Sequence, residues 1–154
     1  MSYNDSNYPI QVQNHDMPIL LYYKGTLKKQ NSIGIVGSRR CTEYGKRVTI
    51  EISEKAVENN FAIISGMAKG VDSYGHTACI KNNGYTIAVL GSGIDICYPR
   101  ENLSLYNAIG ERGCLLSEYA LGTKINQKYF IKRNRIIAAM SNKLIVTQAS
   151  LKRI

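Results

Sequence analysis

Short apolar runs alternate along this chain with longer stretches of helical periodicity. The runs are rich in β-branched residues on consecutive positions, which is typical of strands that are buried on both faces of a parallel sheet. They predict strands at residues 33–36, 61–64, 86–90, 114–116 and 143–147. Apolar residues at helical spacing predict helices at residues 43–60, 71–81, 101–112 and 131–140. The pattern therefore predicts strands and helices in alternation.

This alternation predicts an α/β fold with a doubly wound, mostly parallel sheet of about five strands and helices on both faces. We expect one domain, over residues 19–154, because no linker or change of composition divides that stretch. Its first apolar segment, residues 19–23, predicts a short edge strand that ends at Lys24 and Gly25. Residues 1–18 are polar and contain two prolines, which predicts an irregular N-terminal arm.

The loop after the first long strand is a candidate binding site. Gly37 lets the backbone turn sharply, and the amides that follow should face the N-terminal end of a helix, where an anion is stabilised. Arg39 and Arg40 come next and add positive charge. Because parallel strands end at one edge of the sheet, the loops at Gly66 and Gly91 should lie beside this one. An ordinary turn with two solvated arginines is the alternative.

Positive charge is concentrated late in the chain. The formal net charge is +9, yet up to Glu118 there are 12 Lys or Arg against 11 Asp or Glu. After Glu118 no acidic residue follows, and the basic residues are Lys124, Lys128, Lys132, Arg133, Arg135, Lys143, Lys152 and Arg153. Such a block favours an anionic partner, most commonly nucleic acid. A basic face that only aids solubility is the alternative.

The motifs argue against several kinds of chemistry. Gly91-Ser-Gly93 lacks the third glycine of a dinucleotide fingerprint, because position 96 is Ile. Residues 70–77 resemble a phosphate loop but carry His76 where a lysine is needed, so we expect a structural histidine there. The serines of the loops have no accompanying His and carboxylate pattern. We therefore predict no cofactor, no catalytic residues and no enzymatic activity.

The four cysteines lie far apart and lack the spacing of a zinc site. They are Cys41, Cys79, Cys97 and Cys114. We expect them to be small buried hydrophobic residues in a reducing compartment, and we predict no metal site. No apolar run is long enough to span a membrane, and the N-terminus lacks the features of a secretion signal. The sequence therefore predicts a cytoplasmic protein without membrane contact.

Several short motifs occur in a characteristic order. They are Ile35-Val-Gly-Ser-Arg39, Thr42-x-Tyr44-Gly45, Ser65-Gly-Met-Ala-Lys-Gly-Val-Asp72 with His76, Ile87-Ala-Val-Leu-Gly-Ser-Gly93, Tyr98-Pro-Arg-Glu-Asn102, Leu116-Ser-Glu-Tyr119, Gly122-Thr123 and Phe130-x-x-Arg-Asn-Arg-Ile-Ile137. Over about residues 19–149 this ordered set resembles the DNA-processing protein A (DprA/Smf) family. The Rossmann-like domain of that family belongs to the wider SLOG group of nucleotide-binding folds.

The resemblance implies binding of single-stranded DNA and loading of a RecA-type recombinase during natural transformation. It implies a phosphate pocket at Gly37, Ser38 and Arg39, and an adjoining strand-binding surface at Phe130, Arg133, Asn134 and Arg135. With the other loop residues, the predicted DNA- or phosphate-binding set is Gly37, Ser38, Arg39, Arg40, Gly66, Lys69, Gly91, Ser92, Lys128, Phe130, Lys132, Arg133, Asn134 and Arg135. Phe130 is expected either to stack on a base or to plug the core under the last helix.

Two other interpretations stay open. The chain resembles, more distantly, the small-nucleotide binders and N-glycosidic hydrolases of the SLOG group, although it lacks their Pro-Gly-Gly-x-Gly-Thr loop. The second is a truncated remnant, because the family continues past the position of Ile154 with a Ser-Gly-rich loop and another helix. We accordingly expect a weak or altered homodimer and less recombinase loading than DNA binding.

Overall fold

One mixed sheet forms the centre of the protein in the computed structural model, which describes residues 1–9 and 16–150. Within those residues its strands are β1 (Tyr22–Gly25), β2 (Ser32–Gly37), β3 (Ala62–Ser65), β4 (Thr86–Val89), β5 (Cys114–Ser117) and β6 (Lys143–Gln148). Their spatial order is β1-β5-β4-β3-β2-β6, and all neighbours are parallel except β1 with β5. The predicted doubly wound parallel sheet is confirmed, with one antiparallel edge strand.

Helices cover both faces of this sheet. They are α1 (Glu43–Glu58), α2 (Val71–Lys81), α3 (Leu103–Arg112) and α4 (Gln127–Met140). Two neighbouring residues of β3 show that side chains alternate between the two faces of the sheet. Ile63 packs with Ala56 of α1, whereas Ile64 packs with Ile137 of α4. Both isoleucines are almost fully buried, at 0% and 1% exposure, and burial of each contributes about 1.5–3 kcal/mol. Consecutive apolar residues in the sequence therefore pack on opposite faces of the sheet.

Two elements begin three or more residues away from their predicted start. Helix α4 begins at Gln127 rather than at residue 131, because the Asn126 side chain caps it by accepting the Lys128 N–H at 2.9 Å. Strand β1 covers Tyr22–Gly25 rather than residues 19–23, since this register pairs it with β5. The earlier start of α4 adds a helical turn at the carboxyl edge of the sheet, the edge at which β2 to β6 end.

The N-terminal residues lie against the α4 face. The ammonium group of Met1 donates to the Leu21 carbonyl at 3.1 Å, and the Tyr8 hydroxyl donates to the Pro18 carbonyl. Tyr8 and Leu21 are buried in the same cluster as Ile137. Residues 10–15 of the predicted arm lie outside the described residues. The described part of the arm is irregular in backbone, and its Tyr8 side chain belongs to the packed core.

Candidate nucleic-acid interface

Two aromatic rings and two arginines meet at the carboxyl edge of the sheet. Phe130, in the first turn of α4, packs on the loop after β4, where a Cβ added to Gly91 would lie 2.7 Å from its Cδ1 atom. The centroid of the Tyr98 ring lies 5.4 Å from that of Phe130. The guanidinium carbons of Arg39 and Arg133 lie 5.5 Å and 5.6 Å from the Phe130 centroid. We call Arg39, Tyr98, Phe130 and Arg133 the aromatic–basic cluster.

The loop that carries Arg39 is held on both sides by backbone hydrogen bonds. The Ser38 N–H donates to the Gln148 carbonyl at the end of β6, at 2.8 Å, and the Ser38 carbonyl accepts the Val71 N–H of α2 at 3.2 Å. Gly70 has φ +80°, and a Cβ there would lie 2.4 Å from the Ser38 oxygen, so only glycine fits. Arg39 therefore extends from a fixed backbone and is itself exposed.

Arg133 points inward, contrary to the exposed binding surface that the sequence predicts for it. Its side chain is buried, with 3% exposure, and Nη1 donates to the carbonyls of Gly66 at 2.7 Å and Val89 at 2.8 Å. A Cβ added to Gly66 would lie 2.5 Å from the Arg133 Cζ atom. The same loop is held by Asp72, whose Oδ2 accepts the Gly66 N–H at 3.1 Å. Arg133 thus joins α4 to the ends of β3 and β4.

Burial changes the pKa values of two titratable side chains near Arg133, which are Asp72 and His76. Burial raises the pKa of the Asp72 carboxyl, and the nearby Arg133 guanidinium opposes that change. Burial, with the Arg133 charge as a second cause, lowers the pKa of His76 to about 3. His76 is fully buried, and its Nδ1 lies 2.7 Å from the Thr86 hydroxyl. The histidine is therefore neutral at ordinary pH and lies inside the fold.

The outer side of α4 carries a separate charge cluster, which we call the Glu118 cluster: Glu118, Lys132 and Arg135. Arg135 Nη1 donates to Glu118 Oε2 at 2.5 Å, and Lys132 Nζ lies 3.4 Å from Oε1. The Glu118 side chain has only 8% exposure. Arg135 also donates from Nε to the Asp16 carbonyl at 2.6 Å. The sequence predicts Arg135 and Lys132 as DNA ligands, whereas the structure pairs both with a carboxylate.

The remaining predicted residues fall into buried and exposed groups. Gly37 is enclosed, since a Cβ would lie 2.7 Å from the Gln148 oxygen, and Ser92 is buried with its hydroxyl donating to the Gly93 carbonyl at 3.3 Å. Lys69 is exposed but paired with Glu101 at 3.2 Å. The other exposed predicted residues are Arg40, Lys128 and Asn134. Gly37, Gly66, Gly91 and Ser92 thus shape the edge rather than present side chains.

Sequence reasoning missed Tyr98 as a member of the site. Its motif, Tyr98-Pro-Arg-Glu-Asn102, is part of the family resemblance, and the aromatic residue in a loop was the available signal. Tyr98 is 40% exposed beside Phe130. The exposed ring face was not predictable because the loop has no periodic pattern.

The cysteines fit the prediction only in part. Cys79 and Cys114 are buried, and burial raises the pKa of each thiol to about 12, whereas Cys41 and Cys97 are partly exposed. Within residues 1–9 and 16–150 no group of three His, Cys, Asp or Glu side chains is placed to hold a metal ion. In the same part of the chain no helix is long and apolar enough to cross a membrane.

Comparison with known proteins gives a consistent result. The sequence profile of the family described as DNA recombination-mediator protein A matches residues 1–153. Protein Smf of Synechocystis sp. is 44% identical over 138 residues, which cover 86% of this chain and 35% of the relative.

Two solved structures are similar over nearly the whole chain. The X-ray structure of DNA processing protein A from Streptococcus pneumoniae matches with a TM-score of 0.90 at 38% identity, over 99% of this chain and 54% of that one. DNA processing protein A from Helicobacter pylori, a structure described for its single-stranded DNA binding mode, matches with a TM-score of 0.86 at 31% identity, over 94% of this chain and 67% of that one. The chain spans about a third to two thirds of the length of these relatives.

Proposed function

Because the chain belongs to the DNA recombination-mediator protein A family, we propose that it binds single-stranded DNA and passes it to a RecA-type recombinase during DNA uptake. One observation carries the proposal: exposed Arg39 lies over the Phe130 ring, beside the partly exposed ring of Tyr98. Aromatic rings offer stacking surfaces to unpaired bases, worth about 1–3 kcal/mol per base, and arginine neutralises the adjacent phosphate.

The arrangement supports single strands over duplex DNA and little sequence preference. Stacking on Phe130 and Tyr98 requires unpaired bases and tolerates every base. Arg40, in the loop after β2, and Lys128, in the first turn of α4, are both exposed. They add positive charge that would attract the DNA phosphates. Recombinase delivery and a weak or altered homodimer stay predictions that rest on the family resemblance, and a cytoplasmic location stays a prediction from the sequence.

The test is a titration of labelled oligothymidine and of a duplex of equal length across a salt series. If three or four phosphates are engaged, the logarithm of the binding constant should fall against the logarithm of salt concentration with a slope of about −2 to −3. Arg39→Ala should weaken binding and reduce that slope by about 0.7. Lys55→Ala is the control, because Lys55 pairs with Glu51 on the exposed side of α1. Equal or tighter binding of duplex would contradict the proposal.

The proposed role is binding, without catalysis. Labelled DNA, ATP and a nucleoside monophosphate should each stay intact after incubation with the purified protein. Turnover that exceeds that of the Arg39→Ala variant would instead favour a nucleotide hydrolase of the SLOG group.

A further inference from the structure

A second basic surface lies between α1 and α2. These helices form the two walls of a groove of about 840 Å³, which opens at the carboxyl edge of the sheet. Its mouth is lined by Arg39, Arg40 and Lys69, and its wall by Lys46 and Tyr74. Because Arg39 also belongs to the aromatic–basic cluster, the groove and the cluster form one continuous surface.

The groove contains a lysine that is placed against an aromatic ring. The Lys46 ammonium lies 4.9 Å from the centroid of the Tyr74 ring, and both side chains are half-buried. In the described part of the chain the ion pairs within 4.0 Å include neither Lys46 nor Arg40. Stacking restricts the lysine to the groove while its charge stays unpaired, which is favourable for binding an anion.

Charge along the groove is uneven. The mouth is positive, whereas the far end contains Glu54 together with Lys81, two further turns along α1 and α2. From Lys46 to Glu54 the helix rises about 12 Å. At the mouth Lys69 pairs with Glu101, but both side chains are mostly exposed, and such a surface pair is weak enough to be exchanged for a phosphate.

We propose that the groove between α1 and α2 binds the phosphate backbone of the same single strand after it leaves the aromatic–basic cluster, with Arg40 and Lys46 as the phosphate contacts. This inference rests on the proposed function and extends it, because it assigns a path for nucleotides beyond those that stack at Phe130. A free nucleotide has the same phosphate chemistry. The continuity through Arg39 favours the strand.

The experiment compares oligothymidines of about 6 and about 20 nucleotides, lengths within and beyond the range of a single stacking site. A longer strand contains more overlapping sites of the same size, and this number alone raises its apparent affinity. The wild type should gain more affinity with length than this statistical factor explains. The double variant Arg40→Glu/Lys46→Glu should lose that gain. Lys46→Glu alone, which leaves the loop after β2 unchanged, should bind the short strand within about 2-fold of the wild type. Lys46→Gln should show a smaller loss, with a salt slope reduced by about 0.7 for the long strand only.

The matched control is Lys55→Glu, which removes a lysine of the same helix outside the groove. It should keep the wild-type dependence on length. A double variant that melts like the wild type and still gains affinity with length overturns the groove path alone. The groove path is also overturned if free thymidine monophosphate displaces the long strand at concentrations that leave the short strand bound. That result would favour a pocket for a free nucleotide. A wild type that binds neither length overturns the proposed function and this inference together.

Discussion

The two sides of α4 carry neighbouring basic residues that the fold uses differently. Phe130 and Arg133 are three residues apart and share the side that faces the carboxyl ends of β3 and β4. Lys132 and Arg135 share the outer side and pair with Glu118. A run of basic residues in a sequence therefore does not measure how much charge is available to a ligand, because part of it satisfies buried carbonyls and carboxylates.

This difference moves the proposed DNA-binding surface away from the Glu118 cluster. The Glu118 cluster combines one carboxylate with two cations, and its Arg135 also supports the backbone at Asp16. Away from the Glu118 cluster, exposed cations include Arg39 and Arg40 on the loop after β2 and Lys128 at the start of α4. We therefore expect DNA affinity to depend on the loop after β2 more than on the basic segment at the end of the chain.

The largest expected effect is on stability, at Arg133. Arg133→Ala should lower the free energy of unfolding by about 2–4 kcal/mol, because it leaves the carbonyls of Gly66 and Val89 without their donor and Asp72 without its nearby cation. Urea denaturation measures the change. Arg39→Ala, at an exposed position, should stay within about 0.5 kcal/mol of the wild type. Equal losses in the two variants would contradict the structural role assigned to Arg133.

A smaller effect is expected at Arg135. Arg135→Ala should cost about 1–2 kcal/mol, since Glu118 is nearly buried and keeps only the more distant Lys132. Its affinity for single-stranded DNA should stay within about 2-fold of the wild type. The sequence alone predicts the reverse, a loss of affinity with unchanged stability. Thermal melting and oligonucleotide titration of the same preparation distinguish the two, and a large loss of affinity in a stable variant would restore Arg135 to the binding surface.

Much of the fold was predictable because burial on two faces leaves a strong apolar signal. The strands β3 and β4 fall where their runs of β-branched residues place them. The start of α4 was missed since a polar segment, capped by Asn126, precedes its first periodic residue. The register of β1 was missed because an edge strand is set by its partner rather than by its own pattern.

The candidate site was predictable as a location but not as a set of contacts. The rule that parallel strands end at one edge correctly joins the loop of Arg39 to the loop at Gly91. It does not say which arginine points inward. The glycine at position 66 was the one local sign, because a residue without Cβ permits the close approach that Arg133 makes. The pairing of Arg135 with Glu118 depends on tertiary packing and leaves no local pattern.

The smallest expected effect is a pH dependence that arises at His76 of α2, whose pKa is lowered in part by Arg133 on the inner side of α4. His76 has a folded pKa of about 3, against about 6.5 when unfolded, so between these values the unfolded chain binds more protons and stability falls as pH falls. From pH 7 to pH 6 this loss should be less than about 1 kcal/mol, and His76→Gln should remove it. Asp72, with its raised pKa, acts in the opposite direction and is present in both proteins. Urea titrations at several pH values measure how the free energy of unfolding changes with pH. Arg135→Ala should show the same change as the wild type. If His76→Gln also shows the same change, the buried neutral histidine is contradicted.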